Sequence, residues 1–113
     1  MKAAVVVANE DVQYQEVEEP KVTKGTVKIK VRYSGICGSD IPRVLNHGVH
    51  FYPIVLGHEF SGVVVKIGKD VVECKVGDKV CADPADNCND CYYCANGMMS
   101  HCENMGAIGT NRD

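Results

Sequence analysis

Four cysteines, Cys88, Cys91, Cys94 and Cys102, stand in the spacing C-x2-C-x2-C-x7-C. Four thiolates this close can wrap one tetrahedral ion if the chain turns tightly around it, and zinc suits that geometry without redox chemistry of its own. Asn87, Asn89, Asn96 and Gly97 supply the tight backbone such a wrap needs. Residues 83–104 carry small and polar side chains with no apolar period, so a metal must take the place of a core there. A bacterial-type iron–sulfur cluster uses C-x2-C-x2-C-x3-C-P, whereas here the last gap is seven residues and Glu103 follows Cys102. A redox C-x-x-C pair belongs to a βαβ context that the flanking sequence lacks.

A second constellation is sparser. Cys37 lies in Gly35-Ile36-Cys37-Gly38-Ser39-Asp40, where glycines let the backbone carry a thiolate to the surface, and His58-Glu59 follows Leu56-Gly57. A thiolate, an imidazole and a carboxylate form an incomplete mixed ligand set, the way a catalytic zinc with an open position is built. Spacing alone leaves the alternative open, a turn cysteine and a histidine at a strand end. Cys74 and Cys81 fall outside both patterns, among valines, and read as small buried hydrophobes.

The elements that must position these residues are short. Alternation of Val27, Ile29, Val31 and Tyr33 with Lys28, Lys30 and Arg32 predicts a strand over 26–33 with one wet face. Valine-rich stretches predict further strands over 1–8 and 59–67, β-branched and aromatic residues broken by polar ones predict one over 12–18, and the turn Val76-Gly77-Asp78 opens a short one over 79–82. Ser39-Asp40-Ile41-Pro42 predicts a helix start, with a capping side chain and a first-turn proline, running to about residue 46 before Gly48. Short strands between turn residues, with one brief helix, predict a mainly β fold, an antiparallel barrel or sandwich.

Composition narrows the function classes. The 113 residues give room for one modest domain, and 45% apolar with 24% charged residues is ordinary for a globular chain. Lys and Arg are dispersed and outnumbered, for a net charge of −3, which speaks against nucleic-acid and acidic-membrane partners. Seven cysteines cannot all pair internally, and residues 3–8 form an apolar run too short for a signal peptide or a membrane span. The expected compartment is the cytoplasm. No G-x-G-x-x-G fingerprint occurs in these residues, so no dinucleotide-binding Rossmann unit is expected within them.

Taken together, four motifs carry a resemblance: Gly35-Ile36-Cys37-Gly38-Ser39-Asp40, the stretch from Pro53-Ile54-Val55-Leu56-Gly57-His58-Glu59 to Phe60-Ser61-Gly62, Val76-Gly77-Asp78-Lys79-Val80, and the four-cysteine lobe. In order and separation the chain resembles, over residues 1–113, the N-terminal part of the zinc-dependent medium-chain alcohol/polyol dehydrogenases, and within them Asp40-Ile41-Pro42-Arg43 and His50-Phe51-Tyr52-Pro53 look most like the galactitol-1-phosphate and sorbitol dehydrogenase branch. The resemblance implies a GroES-like β-barrel with a small zinc-binding cysteine lobe over 83–104. It implies catalytic zinc on Cys37 and His58 with Glu59 as alternate or outer ligand, a proton-relaying Ser39, and structural zinc on Cys88, Cys91, Cys94 and Cys102. It further implies an alcohol or polyol substrate, NAD or NADP bound by a Rossmann domain outside these residues, and a homo-oligomeric intact enzyme. Asn111-Arg112-Asp113 does not read as a domain end, so the chain is expected to be truncated and inactive by itself. The alternative reading is a freestanding zinc-binding or interaction module. Pro42 occupies the position where some members carry a relay histidine, which leaves His47 and His50 as candidates for the onward route. These two, like His101 beside Cys102, otherwise read as loop histidines. Arg43 reads either as a donor to a substrate phosphate or as a solvated helix charge.

Overall fold

The computed structural model describes residues 1–111. Arg112 and Asp113, the end of the tail on which the truncation reading rests, lie outside the described residues. The chain opens with a hairpin of β1 (Lys2–Ala8) and β2 (Asp11–Glu16), turned at Glu10 with φ 62°. β3 (Val27–Ser34), β4 (Phe60–Ile67) and β5 (Lys79–Cys81) form an antiparallel sheet in that order. A third, minimal pair, β6 (Ala85–Asp86) and β7 (Gly106–Ala107), ties together the ends of the cysteine-rich stretch. The mainly β, antiparallel architecture is the one expected from the pattern of short strands.

The core is small. Val5, Val6, Ile54 and Val64 are each no more than 3% exposed, and burying such side chains stabilises by roughly 1.5–3 kcal/mol apiece. Val6 and Ile54 also exchange backbone hydrogen bonds, at 2.8 and 3.1 Å, which fastens the first hairpin to the segment before His58. That segment, residues 55–59, is neither helix nor strand and enters β4 at Phe60.

Between β3 and β4 the helical turn α1 (Asp40–Pro42) runs into a π-helical turn, Arg43–His47, and stops at Gly48 with φ 79°. The expected helix is there, but Ser39 does not cap it with its side chain. The expected clean alternation of β3 is not found. From Lys30 to Ser34 both faces of the strand are exposed, Val31 and Tyr33 included, and register shifts between Lys28 and Ile29 and between Val31 and Tyr33 interrupt its ladder with β4. The reading of Cys81 as buried is also overturned. It sits exposed on the edge strand β5, opposite Ser61, which in turn faces Tyr33, so all three share an uncovered face of the sheet. Cys74 is half-buried.

Within 83–104, where no period is visible, the chain forms α2 (Tyr92–Ala95) and a single 3-10 turn, Met99–His101. Elements this short cannot display a helical period. Among the described residues, no helix is long and apolar enough to cross a membrane.

Candidate metal centres

The four-cysteine lobe is built by its own turns. Asn89 at φ 62° and Gly97 at φ 73° reverse the chain on either side of α2, and Asn96 bonds back to the Tyr92 carbonyl at 2.8 Å. Asn87 contributes differently: its carbonyl accepts the Asn89 side-chain amide at 3.0 Å, and its own Oδ1 is buried without a hydrogen-bond partner among the described residues. Cys91 caps α2, its sulfur accepting the Cys94 N–H at 3.5 Å, a role more often given to Ser or Asp. The Sγ atoms of Cys88, Cys91, Cys94 and Cys102 all lie within 4.8 Å of one another. Cys88 is 4.0 Å from Cys94 and 3.5 Å from Cys102. Sulfurs on one tetrahedral zinc would be roughly 3.8 Å apart, a spacing that these two separations bracket, so the cage suits that ion. All seven cysteines are free thiols.

The lobe's electrostatics are uneven. N–H groups of Cys94 and Glu103 aimed at the Cys91 sulfur lower its pKa to about 6, and the N–H of Cys88 lowers Cys102. Partial burial, then the adjoining Cys91 sulfur, push Cys94 up to about 12, and Asp90 raises Cys88. Two sulfurs are thus biased toward the anion and two toward the thiol, whose protons a bound cation would have to displace.

The sparser constellation also converges. One ligand atom each from Cys37, His58 and Glu59 lies within 4.8 Å of the others. Consecutive strand residues point to opposite faces, so His58 and Glu59 can meet one ion only where the backbone is irregular. It is irregular here: both precede β4, and Gly57 has φ 131°. Gly35 makes room for the third group, since a Cβ there would stand 2.7 Å from Glu59 Oε2. His58 is half-buried, Glu59 exposed, and the open depression beside them, of about 520 Å³, is lined also by Tyr33, Phe60 and Cys81.

Two contributors were not legible as such. Asp40, 7% exposed, accepts the Cys37 N–H on Oδ2 at 3.2 Å and places Oδ1 3.6 Å from His58 Nδ1. Its own N–H donates to the Cys37 carbonyl at 3.0 Å, so Asp40 closes the turn ahead of α1 through both backbone and side chain, and the three-residue spacing was the available signal. Arg43 is half-buried rather than solvated, with Nη1 on Ser39 Oγ and Asp40 Oδ1. Ser39 donates to Cys37 Sγ at 3.3 Å. His47, His50 and His101 are all exposed, His101 with its ring edge-on to Tyr93.

Against known proteins, residues 23–113 match the alcohol dehydrogenase GroES-like domain. The chain belongs to this family. Galactitol 1-phosphate 5-dehydrogenase of Escherichia coli K12 is 44% identical over 87 residues, covering 77% of this chain and 25% of that protein. The crystal structure of galactitol-1-phosphate dehydrogenase from Escherichia coli superposes over the whole chain and 33% of its own, with a TM-score of 0.95 at 38% identity. A cobalt- and zinc-bound alcohol dehydrogenase from Pyrobaculum aerophilum gives a TM-score of 0.90 at 30% identity over the whole chain and 36% of its own. The GroES-like chain thus spans about a quarter to a third of the length of these relatives.

Proposed function

We propose that this GroES-like chain is the metal-bearing part of the catalytic domain of a zinc-dependent alcohol or polyol dehydrogenase that uses NAD or NADP. The carrying observation is the convergence of Cys37, His58 and Glu59 from two segments onto one point, beside an independent four-thiolate cage. One soft, one borderline and one hard ligand leave a position for substrate, whereas four thiolates close a site. A freestanding zinc module needs only the cage, and the mixed set is what favours the enzyme. The share of each relative left unmatched supports a longer protein, with the nicotinamide site outside these residues.

Zinc on this set would act as a Lewis acid that lowers the pKa of a coordinated hydroxyl. The rest is the work of the chain's own groups. Cys37 and His58 are the proposed ligands, with Glu59, exposed and able to swing, as the exchangeable one. Ser39 Oγ has one lone pair engaged by Arg43 and another free for the hydroxyl proton of a bound alcohol. Cys88, Cys91, Cys94 and Cys102 are proposed to hold the structural ion. The substrate proposed is a polyol or its phosphate, as the name of the galactitol 1-phosphate relative suggests.

The test is turnover by the longest protein carrying this chain, with polyols and polyol phosphates against NAD and NADP. His58→Ala is expected to abolish hydride transfer while the protein keeps one zinc per chain. The 113 residues alone are expected to bind no nicotinamide, because they contain no glycine-rich pyrophosphate loop. Full activity in His58→Ala refutes the assignment.

A further inference from the structure

We infer that Arg43 is the positioning residue of the mixed centre, one guanidinium nitrogen orienting both the thiolate and the imidazole. The inference rests on the reading of Cys37, His58 and Glu59 as a metal site. Arg43 Nη1 reaches Ser39 Oγ at 3.1 Å and Asp40 Oδ1 at 3.4 Å. Each acceptor passes the constraint on. Ser39 donates to Cys37 Sγ at 3.3 Å, fixing the direction of the sulfur. Asp40 holds the Cys37 N–H at 3.2 Å on one oxygen and faces His58 Nδ1 at 3.6 Å with the other.

His58 Nδ1 is buried and has no hydrogen-bond partner among the described residues, so the Asp40 carboxylate is the acceptor positioned for its proton. A metal-binding histidine needs its second nitrogen so held, because that bond fixes the tautomer that leaves Nε2 free for the ion. Arg43 is what keeps this carboxylate in place. With the guanidinium removed, Asp40 would be a nearly buried carboxylate lacking its cation, and it would turn toward water and release the Cys37 amide.

Arginine suits the task better than lysine. Both protons of Nη1 have an acceptor, and the planar fork holds the two acceptors in a fixed relation, which a point-charge ammonium on a flexible stem does less well. Arg43 also cannot accept a proton, so the hydrogen-bond chain running back from Ser39 ends there as a support and not as a relay. This edge of Arg43 is therefore committed within the fold, contrary to the reading of a solvated charge.

The experiment uses the chain with one equivalent of zinc bound first, to fill the four-thiolate cage, followed by titration with Co2+. Thiolate-to-cobalt charge-transfer absorption then reports Cys37, since zinc is spectroscopically silent. Arg43→Met is expected to weaken cobalt binding at this centre by roughly 10–100-fold, the usual effect of losing an outer-shell partner, and Arg43→Lys to restore part of it. Amide exchange at Cys37 in the protein without cobalt is the second readout. It is expected to accelerate at least tenfold in Arg43→Met and less in Arg43→Lys, while Val64 in β4 stays protected as a control on folding. If Cys37 exchange responds but no cobalt binds beyond the cage, Arg43 stands as the clamp of the turn and the metal reading of the mixed centre falls. A Cys37 amide as protected in Arg43→Met as in the parent chain overturns the inference, whatever the metal does.

Discussion

Removing metal from the cysteine lobe should unfold it while the sheets remain. Between Cys88 and Met105 no residue outside the thiol cage is buried, so the lobe has no apolar core to survive on. Its internal order consists of a few backbone bonds, including Ala95 N–H to the Cys91 carbonyl at 3.0 Å and Met98 N–H to the Tyr93 carbonyl at 2.8 Å. A ligand that binds only the folded lobe stabilises it by about 2.7 kcal/mol when its free concentration is a hundred times Kd. That corresponds to about a hundredfold in amide protection, and structural zinc affinities leave room for far more. The assay is hydrogen exchange with and without a strong chelator, read at Ala95, Gly97 and Met98 in the lobe and at Val63 and Val64 in β4. The lobe amides are expected to lose at least a hundredfold of protection, and the β4 amides less than threefold. Lobe protection that survives chelation would show that the thiol cage holds itself together, and the zinc reading would fail with it.

Two further outcomes are expected. Gly109→Ala places a Cβ 2.0 Å from the Gly57 carbonyl at a residue with φ +68°, next to the segment bearing His58, and should destabilise the chain by about 2–4 kcal/mol in urea titrations followed by circular dichroism. Because Cys91 has its pKa lowered to about 6, it is already a thiolate at pH 7.5, so zinc uptake there should release fewer than four protons; below pH 6 it binds a proton that zinc must displace, and log Kd should then steepen by one further unit per pH unit in competition titrations.

What could be read from sequence depended on how far apart the cooperating residues lie. The cage comes from a single stretch, and its spacing alone specifies four sulfurs that the fold brings within 4.8 Å. β1 and β4 were legible because valine runs bounded by turn residues have few other solutions, and β5 because the turn Val76-Gly77-Asp78 announces it. The wet and dry faces of β3 were not, since from Lys30 to Ser34 both faces lie open, and which face is covered is set by what packs on the sheet and not by the strand's own pattern. Cys81 was misread for a related reason: valine neighbours suggest burial, but an edge strand's exposure is set by what packs on the sheet. The roles of Asp40 and Arg43 stayed hidden because each is defined by a partner across the turn, although the i, i+3 and i, i+4 spacings were present.

The mixed centre depends on strand register as the cage does not. Tyr33 pairs with Ser61 and Ser34 with Phe60, and the ladder is carried one step further by the Gly35 N–H on the Glu59 carbonyl at 2.7 Å. Two residues past that last rung on one side stands Cys37, and one residue past it on the other stands His58, so the pairing itself brings thiolate and imidazole together. The irregularity between Val31 and Tyr33 decides which residues occupy those rungs. A one-residue slip would exchange the faces of β4 and pair Gly35 with a neighbour of Glu59, leaving the carboxylate without the space that the missing Cβ provides. The bulge in β3, which interrupts its ladder with β4, is therefore part of what sets the geometry of the site.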